Sequence, residues 1–75
     1  MYLKRIQRII TNNTGIDPED ITPASYFEDD LNIGEVEFAE IISELEEQYN
    51  IGLGDYINDI ETVGDLVTIL SEELE

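Results

Sequence analysis

Three runs of apolar residues, each stepping by three or four positions, constrain this chain more than anything else in it. Leu3, Ile6, Ile9 and Ile10 form the first. Val36, Ala39, Ile42 and Leu45, with Phe38, Ile41 and Tyr49 beside them, form the second. Val63, Leu66, Val67, Leu70 and Leu74 form the third. Such steps put residues on one face of an α-helix, so each run predicts an amphipathic helix that must bury its stripe against the others. Local punctuation supports the bounds. The first helix is predicted from Tyr2 to about Asn13, closed by Asn13-Thr14-Gly15 with Gly15 suited to a left-handed cap. The second is predicted over Glu35 to Tyr49, with Gly34 as N-cap and Glu35 and Glu37 opposing the positive helix end. The third opens at Thr62, whose hydroxyl can cap while Asp65 takes the capping-box position. Gly52 and Gly54 interrupt the pattern, and Asp55 to Asn58 predict one short turn of helix. The reading is all-α: a bundle of three main helices plus one short one.

A long connection separates the first two helices. Pro18 and Pro23 cannot donate backbone hydrogen bonds there, and Ile16, Ile21 and Phe27 are predicted to pin it to the core. With 75 residues, the chain is expected to form a single domain over 1–75. A domain of this size buries only about 60% of its unfolded surface, which leaves one modest core and little room for a deep active site. No enzymatic activity is expected. Cysteine and histidine are both absent, so there is no disulfide framework, thiolate metal site or imidazole base. No apolar run approaches the ~20 residues that span a bilayer, and no signal-peptide pattern is visible. The expectation is a soluble, cytoplasmic monomer.

Charge is segregated. Lys4, Arg5 and Arg8 are the only cations against 19 acidic residues, for a net charge of −16, and every acid lies at Asp17 or later. A field of that sign repels nucleic acid and anionic membranes and favours basic protein surfaces. Carboxylate clusters at Asp17, Glu19 and Asp20 and at Glu28, Asp29 and Asp30 offer oxygen ligands for weak divalent-cation binding, but without EF-hand spacing; no specific metal site is expected.

The stretch Asp29-Asp30-Leu31-Asn32-Ile33-Gly34-Glu35-Val36-Glu37, together with the loop from Ile16 to Asp30 and the Thr62-Val63-Gly64-Asp65-Leu66-Val67 opening of the last helix, resembles the acyl carrier protein family over nearly the whole chain. The resemblance implies the carrier fold, including its long first loop. It also implies that an Asp-Ser-Leu triplet should open the second helix, its serine bearing a phosphopantetheine arm. Here the triplet falls on Gly34-Glu35-Val36, and a carboxylate at Glu35 cannot form the phosphodiester. No cofactor is therefore expected. The remaining hydroxyls of serine type, Ser25, Ser43 and Ser71, stand in no carrier-like context. By the same resemblance, Glu37, Glu40, Glu46 and Glu47 match acidic positions that dock onto Arg and Lys of partner enzymes. Glu44 and the shortened apolar knob Val36 complete the expected docking face, while Ser43 stands where carriers often show Met. Glu35 itself reads either as a helix-starting acid, worth about 0.3–1 kcal/mol against the helix dipole, or as an imitation of the phosphate.

Three functions follow as expectations. The first is an unmodified carrier-like module that binds carrier-recognising enzymes without covalent cargo. The second is a carrier-type protein of fatty acid, lipid or natural-product biosynthesis that holds acyl cargo non-covalently between its helices. The third, opposed by the carrier-like loop and last helix, is an acidic nucleic-acid mimic.

Overall fold

The computed structural model describes residues 2–75. Three α-helices are present: α1 over Tyr2–Thr14, α2 over Glu35–Tyr49 and α3 over Val63–Leu74. Short 3₁₀ turns at Pro18–Asp20 and Gly54–Asp59 lie in the two connections. The all-α bundle expected from the apolar spacing is the fold observed. Gly15 sits at φ 81° and its N–H donates to the Thr11 carbonyl at 2.8 Å, the left-handed stop that a Cβ would disfavour. Asn50 closes α2 in the same conformation, at φ 56°.

The core is made almost wholly of Ile and Leu. Ile6, Ile9 and Ile10 from α1 meet Ile41, Ile42 and Leu45 from α2 and Val63, Leu66, Ile69 and Leu70 from α3. Full burial of such a side chain contributes about 1.5–3 kcal/mol. The loop adds Ile21, Phe27, Leu31 and Ile33, and the second connection adds Leu53 and Ile60. The long connection is thus held by its own apolar residues, with Ile16 packed half-buried beside them.

The buried stripe of α2 needs correction. Val36 is 73% exposed and Ala39 is also exposed; the residues that pack are Phe38, Ile41, Ile42, Leu45 and Tyr49. On α3, Ile69 joins the core while Val67 and Leu74 remain half-buried at its edge. The first 3₁₀ turn was not expected either. Asp17 caps it by accepting from the Glu19 N–H at 3.0 Å, and Pro18 opens it, as suits a residue with fixed φ and no N–H to satisfy.

Two seams fasten the bundle. Between α1 and α2, Tyr2 meets Tyr49 edge-on with centroids 5.9 Å apart, and the Arg5 guanidinium lies 5.4 Å from the Tyr49 ring centre. Between the loop and α3, an isolated antiparallel bridge joins Tyr26 to Thr62. There Phe27 N–H donates to the Glu61 carbonyl at 3.0 Å, Val63 N–H to the Ser25 carbonyl at 3.0 Å, and Gly64 N–H to the Pro23 carbonyl at 2.8 Å. A Cβ on Gly64 would lie 2.8 Å from the Pro23 oxygen. Only glycine lets the loop come this close. No described helix is long and apolar enough to cross a membrane.

Candidate functional site

The site begins where the loop hands over to α2. Asp30 turns the chain by accepting from the Tyr26 N–H at 2.8 Å, and the Leu31 and Ile33 N–H groups donate back to the Tyr26 and Phe27 carbonyls. Asn32 takes a left-handed conformation at φ 54° to complete the reversal. Gly34 is then extended, at φ −79° and ψ 175°, and α2 starts at Glu35. A glycine cap has no side chain to offer, so only the return half of a capping box forms: Gly34 N–H donates to Glu37 Oε1 at 3.3 Å. Every helix start carries N–H groups without intrahelical partners, and here no side-chain cap meets them.

An open cleft of about 370 Å³ lies against this helix start. Phe27, Ile33, Phe38 and Ile60 supply its apolar lining, with Phe27 and Phe38 packed edge-on at 5.0 Å. Glu28, Asp29, Glu35 and Glu61 supply carboxylates, all exposed, and Tyr26 and Gly34 complete it. Lys4, Arg5 and Arg8 all lie on α1 and none reaches the cleft. Nothing in the apolar spacing pointed to this cleft, because it joins segments from the loop, α2 and the approach to α3.

No hydroxyl stands in the first turn of α2, where Glu35, Val36 and Glu37 follow Gly34. Ser25 is buried in the loop, where its Oγ accepts from the Thr22 N–H at 3.1 Å. Ser43 is exposed in the middle of α2, and Ser71 is half-buried near the end of α3. Thr62 does stand at a helix start, but its Oγ1 accepts from Asp65 N–H at 3.1 Å while the Asp65 carboxylate accepts from Thr62 N–H at 3.0 Å. The Asp65 carboxyl lies below the usual carboxylate value because it accepts backbone bonds from Glu61 first and Thr62 second.

The acids expected to form a docking face separate into two groups. Glu40 and Glu47 are exposed and, with Val36 and Ser43, fall on one stripe of α2 at steps of three and four, opposite the core. Glu37 is exposed beside them but bonded back to Gly34. Glu44 and Glu46 are half-buried and engaged internally. Glu44 accepts from Asn13 at 3.2 Å and from Gln48 at 3.2 Å, and Glu46 accepts from the Leu53 N–H at 2.7 Å. These two acids bind parts of their own fold.

The acidic clusters of the loop are likewise put to local use. Asp17 caps the first 3₁₀ turn and Asp30 holds the Tyr26 N–H. Among the described residues, no group of three or more acidic side chains is gathered in a way that would hold a metal ion. Asp17, Glu19 and Asp20, and Glu28, Asp29 and Asp30, are neighbours in sequence that the structure does not converge on one point. A comparison with known families agrees with this architecture: the model of a family described as the phosphopantetheine attachment site matches residues 4–70.

Proposed function

We propose, because this chain belongs to the phosphopantetheine attachment family, that it is an acyl-carrier-like domain working without a covalent arm. Glu35 takes the position of the attachment serine, and the domain acts as a non-covalent interaction or regulatory module for enzymes that recognise carriers. The observation behind this reading is the first turn of α2, which carries a carboxylate and no hydroxyl. Carboxylates cannot accept the phosphopantetheinyl group as a phosphodiester. The outward stripe of Val36, Glu40, Ser43 and Glu47, with Glu37 at its side, is the surface offered to a basic partner. Attraction of this kind steers association and is weakened by salt. The domain itself performs no reaction.

The apolar lining of the cleft favours a second reading, in which acyl cargo is held there without a bond. Its acidic rim counts against cargo bearing a free carboxylate.

Incubation with coenzyme A and a broad-specificity phosphopantetheinyl transferase, followed by intact-mass measurement, tests the first reading. The expected mass is unchanged. A gain of one phosphopantetheine would overturn it. In the variant Gly34→Asp, Glu35→Ser, Val36→Leu, modification is expected to return, which would locate the lost function in these three residues alone.

A further inference from the structure

The loop and the start of α3 each hold their own shape where they meet. On the loop side, Thr22 N–H donates to Ser25 Oγ at 3.1 Å and Ser25 N–H donates to the Thr22 carbonyl at 3.0 Å, which folds residues 22–25 into a turn. Tyr26 follows, its N–H on Asp30 Oδ2 and its carbonyl accepting from Asp30 and Leu31. On the other side, the Asp65 carboxylate accepts from Glu61 and Thr62, and the Asp65 N–H donates to Thr62 Oγ1. Tyr26 and Thr62 face each other across the bridge with their own backbone bonds spent inside their own segments. Among the described residues, three backbone bonds cross between the two sides: Phe27 to Glu61, Val63 to Ser25 and Gly64 to Pro23. Little apolar cover goes with them. Thr22, Pro23, Ala24 and Tyr26 are exposed, and Ser25 is the one buried side chain between Ile21 and Phe27. Those two anchors are held elsewhere as well, Ile21 by Gln7 Nε2 on its carbonyl at 2.7 Å and Phe27 by the Ile33 N–H on its carbonyl at 2.8 Å.

We propose that residues 22–26 form a clasp that releases the start of α3 as one unit while the three helices stay packed. Release breaks three backbone bonds, whose groups water then satisfies, and uncovers one serine. That loss is far smaller than the burial of Ile and Leu that holds the helices together. Segments with few buried apolar contacts are the ones that open below the free energy of global unfolding. The turn at 22–25 and the capping box of α3 both survive release, because none of their bonds crosses the seam. The consequence falls on the cleft. Phe27, Ile33 and Phe38 on one wall belong to the loop and α2, while Ile60 and Glu61 on the other belong to the approach to α3. The Phe27–Glu61 bond joins these walls, so the clasp sets the width of the cleft. This holds whether or not the domain carries a covalent arm.

Native-state hydrogen exchange of the ¹⁵N-labelled chain at low urea concentrations tests the clasp. The amides of Phe27, Val63 and Gly64 are expected to share one opening equilibrium. They should be less protected than Leu45 in α2 and respond little to urea, since little surface is exposed on release. Ile33 and Leu66, whose bonds lie within one side, should stay with the slower set. Ile42→Val, which thins the core of α2, should speed Leu45 roughly two- to tenfold and leave the three clasp amides unchanged. Gly64→Ala strains the closed form alone, so the clasp amides should quicken about tenfold. Leu45 should quicken less, because alanine favours the helix that persists after release but not the unfolded chain. Three separate opening equilibria, protection equal to that of Leu45, or an equal response of all these amides to Ile42→Val would each overturn the proposal.

Discussion

The first turns of α2 and α3 face the same problem and meet it in opposite ways. Both present N–H groups that their own helix cannot satisfy. At α3 the solution is complete: Val63 donates to Ser25, Gly64 to Pro23 and Asp65 to the Thr62 hydroxyl, while the Asp65 carboxylate accepts from Glu61 and Thr62 in return. At α2 the cap is a glycine with no side chain, the one compensating contact is the long bond from Gly34 to Glu37, and a cleft opens alongside. The capping chemistry is concentrated where the loop must be fastened. It is spare where the family resemblance puts the working position. A helix start left open can face a partner, whereas one closed by its own chain cannot.

This contrast breaks most easily at Gly64. In Gly64→Ala the new methyl would press on the Pro23 carbonyl, and overpacking of this kind costs about 1–3 kcal/mol. Part of that is offset by the better helix propensity of alanine. A fall in Tm of roughly 5–10 °C is expected on the scale of small domains; an unchanged or higher Tm would show that the loop yields at no cost. Asp65→Ala sharpens the comparison more gently, by about 0.5 kcal/mol at neutral pH once solvent screening of a carboxylate at the surface is allowed for. Its pH dependence carries a definite sign. A carboxyl held low by the N–H groups of Glu61 and Thr62 stabilises the fold fully above its unfolded value near 3.8, and that contribution is lost as pH falls through the lower folded value. The gap between wild type and Asp65→Ala, read from chemical denaturation at each pH, should therefore close on acidification. A gap constant from neutral pH to below that value would show the box works through shape alone. The smallest effect is expected at the open start. A methyl added at Gly34 would meet nothing within 4 Å, and the extended backbone there is one that asparagine adopts readily. Gly34→Asn should supply the missing cap and stabilise by a few tenths of a kcal/mol. Destabilisation would mean that the glycine is required by the surrounding loop.

Much of this architecture was legible along the chain. Periodicity and caps placed both ends of α1 and α2 and the start of α3 to within a residue, and Thr62 and Asp65 form the box expected of them. The face of α2 was harder to read because its apolar residues run on around the cylinder from Ile41 through Leu45, Phe38, Ile42 and Ala39 to Val36. Periodicity shows that such an arc exists but not where burial stops along it. The internal roles of Glu44 and Glu46 depend on where Asn13 and the Leu53 amide arrive in space, and a run of acids carries no trace of that. The first 3₁₀ turn did leave a signal, in Asp17 before Pro18, that could have been taken as a cap followed by an N1 proline. The cleft left none. Its walls come from residues 26–38 and 60–61, which meet beside the bridge between Tyr26 and Thr62.

The hydrogen bond from Phe27 to Glu61 is therefore both part of the cleft wall and part of the fastening that holds the loop to α3. Two events that share a bond share a free energy. If closing the fastening raises the affinity of the cleft for an occupant by some factor, the occupant must raise the closing equilibrium by the same factor. The start of α3, remote from α2 along the chain, then reports what sits beside α2. Gly64, which does not line the cleft, would then be felt there as a change in affinity.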